Sequence, residues 1–267
     1  MVLTTEYKNQ VGGRTVLKKV FGDHILKPTS LYEARSYIRM TPEIADVAPA
    51  CCFVLANGKL VSKGDCEFCR DHKNRGSIMA LVNTLSDGYY LIMKDVVHGM
   101  RSPRLVDLKL GTRTHSDHIS EEKKRNHIRK ALNTTSTTLG LRLCGASFSA
   151  NQVKISKAEG REMTKQQLHK TMLDFFSVSP RQKNVIMDQL LKIKNVLEKS
   201  TSQRFFGSSL LCVLDEIADC DRAETTVRIK LIDFSSMARS EEGEDQYEGP
   251  DHGAIFGVSN LIQMLTE

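Results

Sequence analysis

The chain has 267 residues, of which 40% are apolar and 26% are charged, and its formal net charge is +6. These values allow a full buried core, in one two-lobed domain or two small domains, and no run approaches the roughly 18 apolar residues of a membrane span. Residues 1–13 are too polar for a signal peptide, and seven irregularly spaced cysteines favour a reducing compartment, so we expect a soluble intracellular protein without membrane insertion.

Two strands are predicted first, over residues 14–20 and 23–26, on either side of a turn that contains Gly22. Lys27 follows at the end of the second strand, directly before Pro28. Without further pattern, this position indicates only an exposed lysine at a strand end.

A helix is predicted next, over residues 29–40, and Pro42 is expected to end it because the residue before a proline avoids helical geometry. Glu33 lies within this helix. One of two interpretations is that its carboxylate pairs with Lys27, which lies six residues earlier; the other is that it lies near a bound ligand.

A second hairpin is predicted over residues 50–62, with an Asn-Gly turn at 57–58. Cys66 and Cys69 then form a Cys-x-x-Cys pair, with His72 close behind. A structural zinc site needs four ligands, and a second pair of ligands usually follows the first along the chain. No such second pair occurs here at matching spacing. The pattern therefore favours a loop with two free thiols over a metal site.

An apolar strand over residues 89–93 leads into a short connector at residues 94–97, and another strand begins soon afterwards. Pro103 can begin that strand but cannot lie in its middle, residues 104–110 alternate in polarity, and Gly111 ends it with a turn. This part of the chain is therefore predicted to contain two strands joined by a short connector.

Asp107 and Lys109 lie two residues apart on this strand, so their side chains project from the same face. Leu105 shares that face, whereas Val106, Leu108 and Leu110 lie on the opposite face. One alternative is a surface ion pair on an edge strand, which contributes little to stability.

Positive charge is concentrated just after the strand. Residues 101–130 contain nine Lys or Arg and four acidic residues, which leaves +5 of the chain's +6. A helix over residues 120–132 is predicted here, with Ser120 as its N-cap and acidic residues in its first turn.

Lys123, His127 and Lys130 fall on one face of this helix, and Ile128 and Leu132 are expected to form a separate packed face. A row of cations is tolerated at close range when a highly charged anion binds it. The alternative is a charged face that contacts only solvent.

The rest of the chain alternates strands and helices. Arg142 projects from a strand over residues 141–148 that pairs with residues 152–156, and Asp233 ends a strand over residues 227–234. A carboxylate at a strand end beside phosphates is suited to Mg²⁺. The other predicted elements are helices over residues 165–176, 179–197 and 252–266 and a strand over residues 205–214.

Pro103, Asp107, Lys109 and Gly111 form a Pro-x-x-x-Asp-x-Lys-x-Gly pattern that resembles the signature of the inositol polyphosphate kinase family. Further similar segments lie at residues 111–115, 120–124, 128–130, 139–145, 208–211, 232–234, 248–251 and 256–262. Residues 111–145 resemble the inositol hexakisphosphate kinase branch more than the multikinase or trisphosphate 3-kinase branches. The similarity extends from about residue 26 to the C-terminus.

The resemblance implies an α+β fold with two lobes and an ATP site like that of protein kinases. Residues 1–93 would form the nucleotide-binding lobe with an antiparallel sheet, and residues 94–97 the hinge. Residues 98–267 would form a larger mixed lobe that binds the inositol phosphate at about 111–160. It also implies a monomer located in the cytoplasm or the nucleus.

The resemblance further implies ATP as co-substrate and Mg²⁺ as metal. Lys27 would hold the α- and β-phosphates, Glu33 would lie near the nucleotide, and the Lys94 C=O and Val96 N–H would bond adenine. Asp233 would bind the metal, and Asp107 would bond the ribose or orient the catalytic Lys109. The residues implied to bind the acceptor are Lys109, Arg113, Lys123, His127, Lys130 and Arg142.

The implied reaction transfers a phosphoryl group from ATP to inositol hexakisphosphate, giving a diphosphoinositol pentakisphosphate. One alternative is a kinase that phosphorylates a hydroxyl of a less phosphorylated inositol phosphate. Others are an inactive inositol phosphate-binding relative, which the presence of Lys27, Lys109 and Asp233 disfavours, and a nucleic-acid-binding module. The absence of aromatic residues among the cations disfavours nucleic acid, since single-strand binders stack bases on aromatic rings.

Overall fold

The computed structural model describes residues 4–13, 15–64, 66–117, 119–148, 153–216, 223–239 and 247–267. Residues 14 and 152, which were expected in strands, lie outside these ranges, as do residues 118 and 149–152 of the expected acceptor region. The fold is α+β, as predicted, with two antiparallel sheets and helices packed against them. Within the described ranges, no helix is long and apolar enough to cross a membrane.

The first part of the chain contributes short strands and helices. In chain order they are β1 (Thr5–Glu6), β2 (Lys18–Lys19), β3 (His24–Thr29), α1 (Leu31–Ile38), α2 (Pro42–Val47), β4 (Cys51–Ala56), β5 (Lys59–Ser62), α3 (Glu67–Arg70), a 3-10 turn (His72–Asn74), α4 (Arg75–Val82) and β6 (Tyr89–Lys94). Six of these strands form one sheet in the order β1-β2-β3-β6-β4-β5.

The second part contributes longer elements. They are β7 (Pro103–Leu110), α5 (Glu121–Leu132), α6 (Ser136–Leu139), β8 (Leu141–Phe148), β9 (Val153–Ile155), α7 (Lys157–Glu162), α8 (Lys165–Phe175), α9 (Pro180–Lys199), β10 (Gln203–Arg204), β11 (Ser209–Asp215), α10 (Ala223–Thr226), β12 (Val227–Ile232), β13 (Ala238–Arg239) and α11 (His252–Thr266). Five strands form a second sheet in the order β12-β11-β7-β8-β9, and β10 pairs with β13.

Strand β7 lies in the interior of the second sheet, between β11 and β8. Leu105, Val106, Leu108 and Leu110 are buried, so both faces of the strand are covered. An interior strand excludes the alternative of a surface ion pair on an edge strand. Pro103 is its first residue, as expected.

The helices of the second half bury the apolar stripes that their sequences predict. Helix α9 begins after Ser179, which forms a capping box with Gln182, and buries Ile186, Leu190 and Ile193. It packs against α11 and β12 and closes the core behind the second sheet.

Strand β3 is longer than predicted, because it continues past Lys27 through Pro28 to Thr29. Strand β2 pairs only with Ile25 and Leu26, so beyond them β3 has an open edge on that side. A proline is tolerated there because it has no ladder hydrogen bond to donate. Lys27 therefore projects from within a strand.

Three local expectations were wrong or incomplete. Pro42 begins a helix, α2, in whose first turn its missing N–H costs nothing. Residues 66–74 are a short helix and a 3-10 turn where a loop was expected. Ile128 and Leu132 do not pack: they are 42% and 65% exposed, and Ala131 is the buried residue of α5.

Candidate active site

A cavity of about 570 Å³ is lined by residues from both sheets. Lys27 and Glu33 reach it from β3 and α1, whereas Asp107 and Asp233 reach it from β7 and the end of β12. These side chains are up to 206 positions apart in the sequence, and the fold brings them to one place.

Lys27 is the centre of a charged cluster. Its Nζ donates to Glu33 Oε1 at 2.8 Å and to Asp233 Oδ1 at 3.0 Å. Burial opposes the charge of this ammonium, but the two carboxylates outweigh it and raise the pKa of Lys27. The expected pairing of Glu33 with Lys27 is confirmed. Thr29 Oγ1 and the Phe234 amide donate to the same carboxylate and fix its orientation.

Asp233 follows the last residue of β12 and has a φ of 64°, in the left-handed region. That conformation costs a non-glycine residue roughly 1–2 kcal/mol, although Asp tolerates it better than most residues. Ser208 Oγ donates to the Asp233 carbonyl at 3.0 Å and helps to hold the turn. The unusual backbone angle directs the carboxylate into the cavity, as strain at functional sites often does.

Lys109 approaches the same carboxylate from β7. Its Nζ lies 3.7 Å from Asp233 Oδ2 and also donates to the Gly207 carbonyl. Burial alone would raise the pKa of Asp233, but Lys27 and Lys109 outweigh that effect and hold this pKa below its usual value. Asp233 is therefore ionised at neutral pH, as a metal ligand must be.

Asp107 is buried on β7, on the same face of the strand as Lys109. Burial raises the pKa of Asp107, and the nearby Lys109 offsets part of that rise. No described group hydrogen-bonds to its Oδ1. An acceptor oxygen left without a partner beside a cavity suits a hydrogen-bond donor on a bound molecule.

Residues 9–13 line the cavity as well, and sequence reasoning missed them. A Cβ on Gly12 would lie 2.1 Å from Asp107 Oδ2, and one on Gly145 would lie 1.8 Å from the Val11 carbonyl. The segment thus lies directly on β7 and β8, with no space for a side chain at Gly12 or Gly145. The Gly12-Gly13 pair was the signal, since adjacent glycines often mark a close backbone approach.

Residues 94–97 connect the two sheets at the edge of the cavity. The Lys94 amide donates to the Ala50 carbonyl at 2.8 Å, and Arg228 donates to the Val96 carbonyl at 2.6 Å. The Lys94 C=O and Val96 N–H, the groups implied to bond adenine, are not used by these bonds. The Lys94 ammonium pairs with Asp23, so it is not needed for a contact with a nucleotide base.

Asp95 fixes the geometry of this connector, and sequence reasoning missed its role. Its carboxylate accepts hydrogen bonds from Tyr7 Oη and Lys19 Nζ, both at 2.7 Å, and from the Val97 amide at 2.9 Å. Residues from β2, the N-terminal segment and the connector therefore share one buried acid.

A cluster of cationic and imidazole groups continues from Lys109 away from Asp233. Lys109 and Arg142 are opposite residues on β7 and β8, and Arg142 is buried with its Nε unpaired among the described residues. Burial and then the charge of Lys130 lower the pKa of His127, and His115, Arg142 and Lys109 contribute further. Together with His115, whose ring centre lies 6.2 Å from that of His127, these groups form a surrounding that favours a bound polyanion.

Arg113 and Lys123 lie differently from the other residues expected to bind the acceptor. Arg113 pairs with Asp117, and its guanidinium carbon lies 4.2 Å from the centre of the Phe206 ring. Lys123 is exposed on α5. His115, which was not among the expected site residues, is buried and faces His127 with ring centres 6.2 Å apart.

The donor set at Asp233 fits a divalent metal. Its carboxylate is ionised, faces the cavity with 30% side-chain exposure, and is balanced by two ammonium groups that a metal with its phosphates can replace. Mg²⁺ needs one or two such carboxylates, since water and phosphate complete its coordination.

Comparison with known proteins gives a consistent picture. The family model described as inositol polyphosphate kinase matches residues 90–266. The chain is 31% identical over 199 residues to inositol hexakisphosphate kinase 3 of Mus musculus and 30% identical over 217 residues to inositol hexakisphosphate kinase 2 of Oryctolagus cuniculus. Each match covers 67% of this chain and 50–51% of the relative, so the chain spans about half the length of these curated relatives.

The fold is also similar to that of solved structures. An inositol phosphate multikinase of S. cerevisiae, crystallised with ADP and Mn²⁺, aligns with a TM-score of 0.66 and 20% sequence identity. That alignment covers 92% of this chain and 98% of the other. At this identity the likeness establishes the shared fold.

Proposed function

The chain belongs to the inositol polyphosphate kinase family, and we propose that it transfers the terminal phosphoryl group of ATP to a phosphate of inositol hexakisphosphate. The observation that carries the proposal is the contact of Lys27 and Lys109 with the two oxygens of Asp233, beside a cluster of further cations. Phosphoryl transfer depends mainly on positioning and on charge stabilisation, which this arrangement supplies.

On the donor side, we propose that ATP binds in the cavity between the two sheets, within lobes at residues 1–93 and 98–267 joined by a hinge at residues 94–97. Lys27 would hold the α- and β-phosphates, with Glu33 keeping its ammonium in position. The Lys94 C=O and Val96 N–H would bond adenine. The unpaired Asp107 Oδ1 would accept a hydrogen bond from the ribose. The ADP in the multikinase structure supports nucleotide binding by this fold.

Asp233 would hold Mg²⁺, which when bound supplies positive charge that neutralises the triphosphate. Lys109 lies between Asp233 and the cation cluster, so it is placed to neutralise charge on the phosphoryl group as the group moves. The Mn²⁺ of the multikinase structure supports a divalent metal here.

On the acceptor side, Arg142, His127, Lys130 and Lys109 would contact the phosphates. Phosphate oxygens are ionised at neutral pH, so a phosphate acceptor needs no strong general base. The relatives named as inositol hexakisphosphate kinases support this acceptor.

A less phosphorylated inositol phosphate, phosphorylated on a hydroxyl, is the second candidate. It is favoured by two observations. Arg113 is paired with Asp117 and Lys123 is exposed, so fewer cations are available to the acceptor than the sequence implied. A non-catalytic inositol phosphate-binding protein is the third.

One experiment separates the three candidates. The protein is incubated with ATP, Mg²⁺ and a panel of inositol phosphates from tris- to hexakisphosphate, and the products are separated by charge. We expect hexakisphosphate to give a more acidic product. Turnover of the lower phosphates alone would establish the second candidate, and binding without turnover of any acceptor would establish the third.

A further inference from the structure

His24, Cys52, Cys66 and Cys69 converge at one end of the first sheet, and we propose that they bind one Zn²⁺ as a structural site. His24 begins β3 and Cys52 lies near the start of β4. Cys66 caps α3 and Cys69 lies within it. The set combines the Cys-x-x-Cys pair with two residues that are distant in sequence, which is why spacing alone did not reveal it.

The distances fit a tetrahedral zinc site. His24 Nε2 lies 3.3 Å from Cys52 Sγ, 3.3 Å from Cys66 Sγ and 3.5 Å from Cys69 Sγ, and all four ligand atoms lie within 4.8 Å of one another. Tetrahedral zinc, with bonds of about 2.0 Å to nitrogen and 2.3 Å to sulfur, needs nitrogen–sulfur separations of roughly 3.6 Å. The nitrogen–sulfur distances therefore need to change by only a few tenths of an ångström for an ion to bind.

Hydrogen bonding alone does not account for this geometry. A neutral imidazole nitrogen carries one proton or one lone pair, so it cannot satisfy three sulfur atoms at once. A single metal ion does satisfy all four atoms.

The groups around the cluster are those of a metal site. Asp23 Oδ1 lies 3.0 Å from His24 Nδ1, and no described group forms a hydrogen bond with that nitrogen. Lys94 holds the Asp23 carboxylate. A carboxylate behind a ligating histidine sets the orientation of the ring.

Two further contacts favour the site. The Cys69 amide donates to Cys66 Sγ at 3.3 Å, a bond that stabilises a thiolate. Phe68 stacks on Phe21 with ring centres 5.1 Å apart and lies 5.5 Å from the His24 ring. These rings provide an apolar cover on one side of the cluster.

The metal also explains how residues 66–74 are held. Neither α3 nor the 3-10 turn after it has a buried residue, so this segment has little core of its own. Bonds from Cys66 and Cys69 to a shared ion would attach it to β3 and β4. All four ligands come from the protein, which is typical of a structural rather than a catalytic zinc.

Metal analysis of the purified full chain tests the proposal. The protein is produced with zinc in the medium, desalted, and analysed by inductively coupled plasma mass spectrometry. We expect about one zinc per chain in the parent, and loss of most of it in Cys66→Ser and Cys69→Ser, because a serine hydroxyl is a poor zinc ligand. Cys51→Ser is the matched control: Cys51 is a neighbouring thiol on β4 whose sulfur contacts the Phe53 carbonyl, and this variant should keep its zinc.

Cobalt substitution of the parent needs no variant and so remains decisive if a serine variant fails to fold. Cobalt(II) in a tetrahedral site with three thiolates gives thiolate charge-transfer absorption and strong visible bands, and added zinc should abolish them. A parent that is free of zinc and gives no cobalt spectrum would overturn the proposal. Equal zinc loss in Cys51→Ser and Cys66→Ser would overturn it as well.

Discussion

Asp107 and Asp233 line the same cavity, but their surroundings shift the two pKa values in opposite directions. Burial raises the pKa of Asp107, which has an unpaired oxygen among the described residues. Asp233 is partly exposed to the cavity, and Lys27 and Lys109 hold its pKa below the usual value. The first carboxylate is therefore kept at a cost in stability, whereas the second is stabilised by its partners.

Replacing each acid with its amide should change stability in opposite directions at neutral pH. The raised pKa of Asp107 means that its ionised form destabilises the fold above about pH 4, the unfolded value, with the full cost above the folded value. Asp107→Asn should therefore raise the free energy of unfolding at pH 7, on the order of 1 kcal/mol. The gain should disappear as the pH falls toward 4.

Asp233→Asn is the matched comparison. In the parent, the lowered pKa of Asp233 means that its ionised carboxylate stabilises the fold above the unfolded pKa of about 4. That stabilisation is lost as the pH falls through the folded pKa. This variant should be less stable than the parent at pH 7, and the difference should shrink at acidic pH. Urea unfolding at both pH values measures the two effects, and a shift of the same sign in both variants would contradict the pKa assignments.

At the scale of single elements, α5 presents two lysines in different surroundings. Lys130 lies close enough to His127 to lower its pKa, whereas Lys123 is exposed. The sequence placed both on one helical face, which is correct as geometry. Only the packed fold shows that Lys130 acts on His127 whereas Lys123 is exposed.

Lys130→Ala should raise the KM for inositol hexakisphosphate by the loss of charge-assisted bonds, on the order of 1–3 kcal/mol, with the KM for ATP nearly unchanged. Lys123→Ala should have a smaller effect, because salt and water screen an exposed charge. Arg129→Ala is the control on the same helix, since Arg129 is exposed and bonds Asn126. Equal effects of all three variants in steady-state kinetics would show that α5 does not contact the acceptor.

A second prediction at the scale of single elements concerns residues 9–13. Gly12→Ala places a methyl group 2.1 Å from Asp107 Oδ2, so either the carboxylate or the segment must move. We expect a rise in the KM for ATP of about tenfold or more, a change of roughly 1.4 kcal/mol. Gly76→Ala is the control, because no atom lies within 4 Å of its added Cβ and alanine favours the helix. An unchanged KM for ATP in Gly12→Ala would exclude this segment from the nucleotide site.

At the scale of the whole molecule, local sequence patterns predicted the strands, helices and turns better than the contacts between them. The β7 strand with its proline start, the Ser120 cap and the Asn57-Gly58 turn, whose φ angles are 46° and 74°, follow from short-range rules and are found as expected. The contact of Lys27 with Asp233 does not, because it depends on how the two sheets pack. Only the resemblance to a known family brought those residues together in advance.

The same limit explains what the sequence did not reveal. Cys66 and Cys69 gave no partner at zinc spacing, because His24 and Cys52 reach them through sheet pairing. Ile128 and Leu132 have the spacing of a packed face, but no other described element covers them. Periodicity shows which residues share a face and does not show whether another element lies against it.

Nucleotide binding should protect both sheets at once. Hydrogen exchange with a non-hydrolysable ATP analogue and Mg²⁺ should slow exchange in peptides that contain residues 9–13, Lys27, Val96 and Asp233, since ligand binding shifts opening equilibria by mass action. Peptides from α9 serve as the internal control, because that helix lies in the core behind the second sheet. Protection confined to one sheet would place the nucleotide elsewhere.

Phosphorus NMR of the reaction product tests the central claim most directly. Every ring oxygen of inositol hexakisphosphate already carries a phosphate, so any transfer to it must form a phosphorus–oxygen–phosphorus bond. The protein is incubated with ATP, Mg²⁺ and this acceptor alone, and the inositol fraction is separated from ADP and measured. We predict a new diphosphate signal with the parent and with Asp188→Asn, a control on the exposed side of α9, and none with Asp233→Asn. An inositol fraction without a diphosphate signal from the parent, or an equal signal from Asp233→Asn, would contradict the account.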